Sequence, residues 1–437
     1  MAEILPFHGI HYNPAQVKDL AKVICPPYDV ISPQLQQELY QSSEFNFVRI
    51  EYGRELPQDT GTANKYTRAL AVLQKWQEQG VLTTDEQPAI YIADHSFLFR
   101  GKKYRRRGIT CLVKLEEWET RTIRPHEGTL SRAKNDRLNM LWTLEANTSP
   151  VMALFEDSDR KIAARLDSAA RGKSLLGVNC RDGEKHRVWA VKDPGVIRWV
   201  QEYLAGQPLY IADGHHRYES ALSYRRARHG SASSGAGLGP FDFVMMTLID
   251  FADPGLVILP AHRLVRGLPQ SALDILRTAL KICFSVEEYP LDKTGISRQI
   301  ENLLAEGENE VNLVLYGLKN DTLLRLTLKD WNFVRLMMPY FHSELYQRLD
   351  ASIVDHVILE ELLGLSHDTA GSFLDFTNNI QDAVNRVDER ETQLAIIVNP
   401  VKPGDIKSIA DSGDRMPRKS TYFFPKIPAG LVFYRFK

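Results

Sequence analysis

Five consecutive residues, Asp213-Gly214-His215-His216-Arg217, set a carboxylate, a glycine, two imidazoles and a guanidinium side by side. Pro208-Leu-Tyr-Ile-Ala before them reads as a buried strand, and Tyr218-Glu-Ser-Ala-Leu-Ser-Tyr after them as an amphipathic helix, so the five form the turn between the two. The first turn of a helix has free backbone N–H groups and the positive end of the peptide dipole, which together favour a bound phosphate. The dipole contributes only ~0.3–1 kcal/mol, rising to ~2 when partly buried, so charge-assisted hydrogen bonds must supply the rest. Arg217 offers them, because its planar fork matches phosphate oxygens, and Gly214 lets the backbone approach closely. The plainer alternative makes Asp213 a helix cap and leaves the histidines to pack locally. Crowding of Gly, His, His and Arg into the turn itself, rather than onto a solvated helix face, weighs against it. Metal binding by His215 and His216 alone is disfavoured, since adjacent helical residues diverge by about 100°, unlike the i,i+4 pair of a zinc helix.

Two other segments carry side chains suited to phosphoryl transfer. In Arg124-Pro-His-Glu-Gly-Thr-Leu-Ser-Arg-Ala-Lys-Asn-Asp-Arg137, the cations Arg124, Arg132, Lys134, Arg137 and, when protonated, His126 surround Glu127 and Asp136, with Thr129 and Ser131 as hydroxyl donors. A phosphate group and a base would both find partners there; the plainer alternative is an exposed charged loop. Lys419-Ser420-Thr421 and Lys426 resemble a phosphate clamp by residue type but lack the glycine-rich run of a P-loop. Arg49 and Glu51 read as structural ion pairs, His262-Arg263 as a strand end, and Asp350 and Asp355 as surface or pairing residues on a helix.

The elements that must position these groups are mixed. Helical spacing over 33–41 and 64–79, with Gly80 as the stop, gives way to strands at 89–99 and 109–115 that pair antiparallel through a solvated basic hairpin at 100–107 with Gly101 in its turn. A helix is expected over 138–147, strands at 151–155, 188–191, 209–212 and 243–249, and a Gly/Ser-rich surface loop at 229–240. Later come helices near 271–280, 294–306 and 351–363, a hairpin over 312–328 turning at Lys319-Asn320, and a strand-like 431–436. The expected class is α+β: a mixed sheet carrying the phosphate turn, with helical modules around it. Three segments are expected: 1–88 packed on the core, 89–270 as the phosphate-binding core, and 271–437 as an α+β module whose last loop returns to the site.

At 437 residues the chain is large enough for more than one packed module. Lys plus Arg (54) nearly cancels Asp plus Glu (55), so there is no long-range attraction to nucleic acid. No apolar run reaches the ~18 residues of a spanning helix, and the amino-terminal residues lack a basic-then-apolar pattern, so a cytoplasmic location is expected. Cys25, Cys111, Cys180 and Cys283 are widely spaced and read as inert, mostly buried thiols.

Ile211-Ala-Asp-Gly-His-His-Arg-Tyr-Glu-Ser-Ala221 resembles the phosphate-binding box of the ParB/sulfiredoxin-like superfamily. More broadly, Cys25-Pro-Pro-Tyr-Asp-Val30, Asn46-Phe-Val-Arg-Ile-Glu51, Pro125-His-Glu-Gly-Thr129, Leu259-Pro-Ala-His-Arg263 and Met416-Pro-Arg-Lys-Ser-Thr421, in that order, resemble domain-of-unknown-function family ten-fifteen. The resemblance implies a ParB/sulfiredoxin-like core and a relation to kinases of free serine. It assigns donor phosphates to Gly214, His215, His216 and Arg217, and leaves the base to Glu127 or Glu51. Sulfinic-acid repair is disfavoured, because His215 stands where sulfiredoxins carry their cysteine. The expected activity is phosphoryl transfer to the hydroxyl of a free amino acid, L-serine first, from ATP, ADP or pyrophosphate with Mg²⁺. Asp213 would orient the metal or the acceptor and Glu127 would take the proton. His126, Lys134, Arg137 and Lys419 would neutralise charge, with Thr129, Ser420 and Thr421 donating further hydrogen bonds to the phosphates. A homo-oligomer is compatible with this. Two other readings stand beside it: a nucleotide-binding regulator using the same turn, and a metal-dependent hydrolase built on His126, Asp213, His215 and His216.

Overall fold

The apolar residues of the central strands run almost without interruption, and their alternation sorts them onto two faces, both buried. Ile90, Ile92, Cys111, Val113, Val244 and Met246 enter one core, while Tyr91, Leu112, Phe243 and Met245 enter another. The computed structural model describes residues 2–129, 131–230, 237–292, 294–306, 311–365 and 370–436. It divides into two units: Met1–Pro125 and Thr129–Val257 with Pro425–Lys437, and His126–Gly128 with Ile258–Phe424. The class is mixed α+β, and no helix among the described residues is long and apolar enough to cross a membrane.

Unit 1 holds a nine-stranded sheet made of β1 (Ile4–Leu5), β2 (Ile90–Phe99), β3 (Lys102–Lys114), β4 (Ile123–Arg124), β5 (Val151–Phe155), β6 (Leu176–Asn179), β7 (Lys185–Val191), β8 (Leu209–Asp213) and β9 (Phe243–Asp250). Their order is β4-β8-β5-β9-β3-β2-β7-β6, with β1 paired on β3. β8 is parallel to β4 and antiparallel to β5, so the strand that ends in Asp213 has a neighbour on each side. The first helices are α1 (Pro33–Ser42), started by Ser32 accepting from the Leu35 amide, and α2 (Lys65–Glu78), where Asn64 and Thr67 form a capping box. The sheet's other helices are α3 (Ser131–Leu144), α4 (Lys161–Ala169), α5 (Pro194–Ala205) and α6 (His215–Gly230).

Three local expectations change. The helix placed over 138–147 begins at Ser131. Its first turns are polar because they meet charged partners, so apolar spacing did not reveal them. Ala146-Asn147 instead pair as a short strand with Tyr434-Arg435. The 100–107 hairpin does turn at Arg100 (φ 50°) and Gly101 (φ 75°), but only its tip is solvated. Arg106 is fully buried, donating to the Pro425 carbonyl at 2.6 Å, and Arg107 is locked on Asp94 at 2.5 and 2.6 Å. In the expected 229–240 loop, α6 runs on to Gly230, and residues 231–236 lie outside the described ones.

Unit 2 is built on a six-stranded antiparallel sheet of β10 (His262–Val265), β11 (Phe284–Pro290), β12 (Asn312–Tyr316), β13 (Thr322–Leu328), β14 (Leu374–Thr377) and β15 (Leu394–Ile397), ordered β11-β13-β12-β15-β10-β14. Alternation again feeds two cores, Leu313, Leu315, Leu324 and Ile396 on one face, Val314, Leu323, Ala395 and Ile397 on the other. The helical segment over Ile353–Leu362 is π-wound. Arg263, fully buried, pairs with Asp355 at 3.0 Å. Asp350 is not at the surface: burial pushes its carboxyl up to about 6, against the amides of Asn399.

Candidate phosphate site

In unit 1 the buried strand β8 delivers Asp213 to the edge of the core, Gly214 turns the chain at φ 91°, and α6 starts at His215. That φ belongs to the left-handed region, which glycine alone enters without strain. A Cβ at Gly214 would also lie 2.8 Å from Arg217 Nε, so the glycine makes room for the guanidinium. Arg217 donates through Nη2 to Asp213 Oδ2 at 2.6 Å and through Nη1 to the Pro150 carbonyl; its Nε is buried with no hydrogen-bond partner. Lys426 donates to the other oxygen, Asp213 Oδ1, and lies 3.8 Å from Asp29. Burial alone would raise the Asp213 acid, but Lys426 and then Arg217 hold it well below the usual carboxylate range. One carboxylate thus organises two cations beside a helix N-terminus, an arrangement that suits an anion. It does not suit Mg²⁺ at Asp213, whose two oxygens are both engaged by cations. His215 is buried and His216 half-buried on the first turn.

Around this turn, some residues expected to meet phosphate have other work. Arg137 is buried, 4.0 Å over the Tyr28 ring, and donates to Asp136 at 2.6 Å and to Glu51 at 3.5 Å. Lys65 also pairs with Asp136 at 2.7 Å. Burial opposes ionisation of Asp136, yet Arg137 and Lys65 outweigh it and hold the acid at about 2. Arg137 is therefore a structural cation, not a phosphate ligand. Glu51, 0% exposed, accepts from Thr148 at 2.5 Å and Ser149 at 3.0 Å. It is not paired with Arg49, which donates to the Tyr40 carbonyl. Glu51→Ala should strand Arg137 and two hydroxyls and cost about 3 kcal/mol of stability, read as a lowered urea midpoint at unchanged m-value. Thr129 donates to Glu219 at 2.5 Å, and the Lys134 carbonyl accepts from Ser220 at 2.8 Å.

In unit 2 a second group forms around Glu127. Its Oε1 accepts from the Thr421 amide at 3.0 Å, the Thr421 hydroxyl at 2.9 Å and the Ser420 amide at 3.2 Å. The Ser420 hydroxyl donates to the Pro417 carbonyl at 2.6 Å. His126 is fully buried, with Nε2 2.9 Å from the Thr421 hydroxyl and its ring edge-on to Phe423. The segment expected to clamp phosphate thus spends these donors on a carboxylate, fixing one oxygen of Glu127. Lys419 (φ 61°) is exposed. Among the described residues, the side chains grouped closely enough to hold an ion are His95, Glu184 and His186, none of which belongs to the expected hydrolase set. Sequence reasoning missed Asp29 and the Pro150 carbonyl at the turn; Asp29 sits in the Pro-Pro-Tyr-Asp run, whose acid was the available signal.

The family model described as a protein of unknown function, DUF1015, matches residues 4–352. The chain belongs to the DUF1015 family. No curated protein matches it. Among solved structures, a free serine kinase in complex with AMP is similar at 12% identity and TM-score 0.37, covering 71% of this chain and 89% of that one. A conserved hypothetical protein from Pyrococcus furiosus is similar at 13% identity and TM-score 0.34, over 71% and 92% of the two chains. SbnI from Staphylococcus aureus, with a C-terminal truncation, is similar at 9% and 0.36, over 74% and 85%. At these scores the likeness carries no inference about activity.

Proposed function

We propose that this DUF1015 protein is a small-molecule phosphotransferase that moves a phosphoryl group from a nucleotide or pyrophosphate to the hydroxyl of a free amino acid, L-serine, giving O-phosphoserine. The observation that carries the proposal is the turn at Asp213–Arg217: a guanidinium and an ammonium held on one carboxylate, with a glycine at the mouth of a helix. Such a turn binds phosphate oxygens and neutralises charge, which is most of what phosphoryl transfer requires. The ParB/sulfiredoxin-like resemblance of the same residues supports a nucleotide as the source of those phosphates.

Glu127 is the base in this proposal. It is partly exposed and has one oxygen fixed by three donors, whereas Glu51 is sealed in the core and spent on Arg137, Thr148 and Ser149. In the transfer, the serine oxygen forms its bond to phosphorus as the donor's bridging P–O bond breaks, and the hydroxyl proton passes to Glu127. The test is phosphorus NMR of the purified protein with Mg²⁺ and L-serine, offered ATP, ADP and pyrophosphate in turn. A serine-dependent phosphoserine resonance, lost in Arg217→Ala, is expected with one donor. Nucleotide binding without any transfer would replace the proposal with a non-catalytic regulator.

A further inference from the structure

Away from the phosphate turn, three neighbouring strands of the unit 1 sheet align a row of ionisable side chains that the proposed function does not use. His186 on β7 is the register partner of His95 on β2, and His95 is the register partner of Arg106 on β3. Glu184 stands two residues before His186 and so projects to the same face. His95 Nε2 lies 2.7 Å from Glu184 Oε2, His186 Nε2 lies 3.8 Å from it, and one ligand atom from each of the three falls within 4.8 Å of the others.

We propose that His95, Glu184 and His186 form a binding site for a divalent transition-metal ion of the zinc class. Two imidazoles and one carboxylate are a recurrent zinc donor set that leaves a further position open. With metal–ligand bonds of about 2.0–2.2 Å, tetrahedral donors sit roughly 3.4 Å apart. Opening the His95–Glu184 contact by about 0.7 Å and closing the His186–Glu184 gap by about 0.4 Å brings both to that spacing, and the third separation, between the two imidazoles, starts within 4.8 Å. The His186 side chain is 96% buried (4% exposed) and makes no hydrogen bond among the described residues, so its lone pair is uncommitted. Burial first, helped by Arg106 at His95, pushes both imidazoles down to about 3, which keeps them neutral and ready to ligate at pH 7. The Glu184 side chain, 25% exposed, gives the ion a path from solvent.

Arg106 sets the condition on this site. Its Nη2 is 3.3 Å from His95 Nδ1 and 2.6 Å from the Pro425 carbonyl. A metal on Nε2 leaves the proton of a neutral His95 on Nδ1, so Arg106 must release the histidine and keep the carbonyl. Without metal, the same contacts form a hydrogen-bonded row in which Nε2–H donates to Glu184.

The test is a Co²⁺ titration of the full chain after chelator treatment, followed by visible absorption. One equivalent should give d–d bands of a low-coordinate ion, and Zn²⁺ should displace them. His186→Gln should lower Co²⁺ affinity by more than about tenfold, beyond the lower end of what losing an outer-shell partner costs, while His8→Gln, at an exposed histidine, should not. If His186→Gln does not fold, judged by its melting curve, Glu184→Gln makes the same comparison. No stoichiometric Co²⁺ spectrum, or one that a folded ligand variant leaves unchanged, overturns the proposal in favour of the hydrogen-bonded row.

Discussion

Glu127→Gln should lower serine-dependent phosphoryl transfer by roughly 10²–10⁴-fold, the usual worth of a positioned base, while nucleotide affinity stays within about twofold, too small a change to matter against the ~10-fold per 1.4 kcal/mol scale. The substitution is informative because of what it preserves. Glutamine keeps an oxygen able to accept from the Ser420 and Thr421 amides and the Thr421 hydroxyl, the three contacts that fix Oε1, so the loop need not rearrange. Only proton acceptance is removed. Initial rates of phosphoserine formation beside calorimetric nucleotide binding would read the two quantities separately. Wild-type turnover in the variant would strip Glu127 of the role.

Arg217→Lys should weaken nucleotide binding by roughly 10–150-fold, the loss of one charge-assisted hydrogen bond worth about 1.5–3 kcal/mol. The charge survives the change, but the geometry does not. Arg217 spends one N–H of Nη1 on the Pro150 carbonyl and one of Nη2 on Asp213, and each terminal nitrogen keeps a second N–H. A lysine has one compact head at the end of a flexible stem and cannot hold the carbonyl, the carboxylate and a phosphate oxygen in a fixed plane. Titration calorimetry with ADP measures the effect, and an unchanged dissociation constant would show that phosphates do not bind at Arg217.

The strand–glycine–helix turn at Asp213–Arg217 was legible in the sequence because its parts are local. A buried strand, a glycine and an amphipathic helix lie within about five helical turns of chain, and each carries its own signal. Several unit 1 strands were legible for the same reason, since Ile90-Tyr-Ile and Val244-Met-Met announce themselves by composition, whereas Leu176–Asn179, Phe284–Pro290, Leu374–Thr377 and Leu394–Ile397 went unread. The partners of the site were not. Lys426 meets Asp213 across 213 residues, and Thr421 meets Glu127 across 294. Nothing in residue type tells a lysine that binds phosphate from one that holds a carboxylate. Arg137 shows the cost of reading charge without burial: residue type alone makes it a phosphate ligand, and the fold makes it a core cation shared by Glu51 and Asp136. The His95–Glu184–His186 row was hidden because its histidines look like ordinary strand residues until strand pairing brings them together.

Unit 1 is completed by Pro425–Lys437, which supply Lys426 to Asp213 and the Pro425 carbonyl to Arg106. During synthesis these residues leave the ribosome only after Ile258–Phe424 have been made. Asp213 and Arg106 therefore wait through that interval without those contacts, and a nascent chain cannot finish the Asp213–Arg217 turn early. The order of translation thus ties a competent turn to a chain that has already been translated through both units.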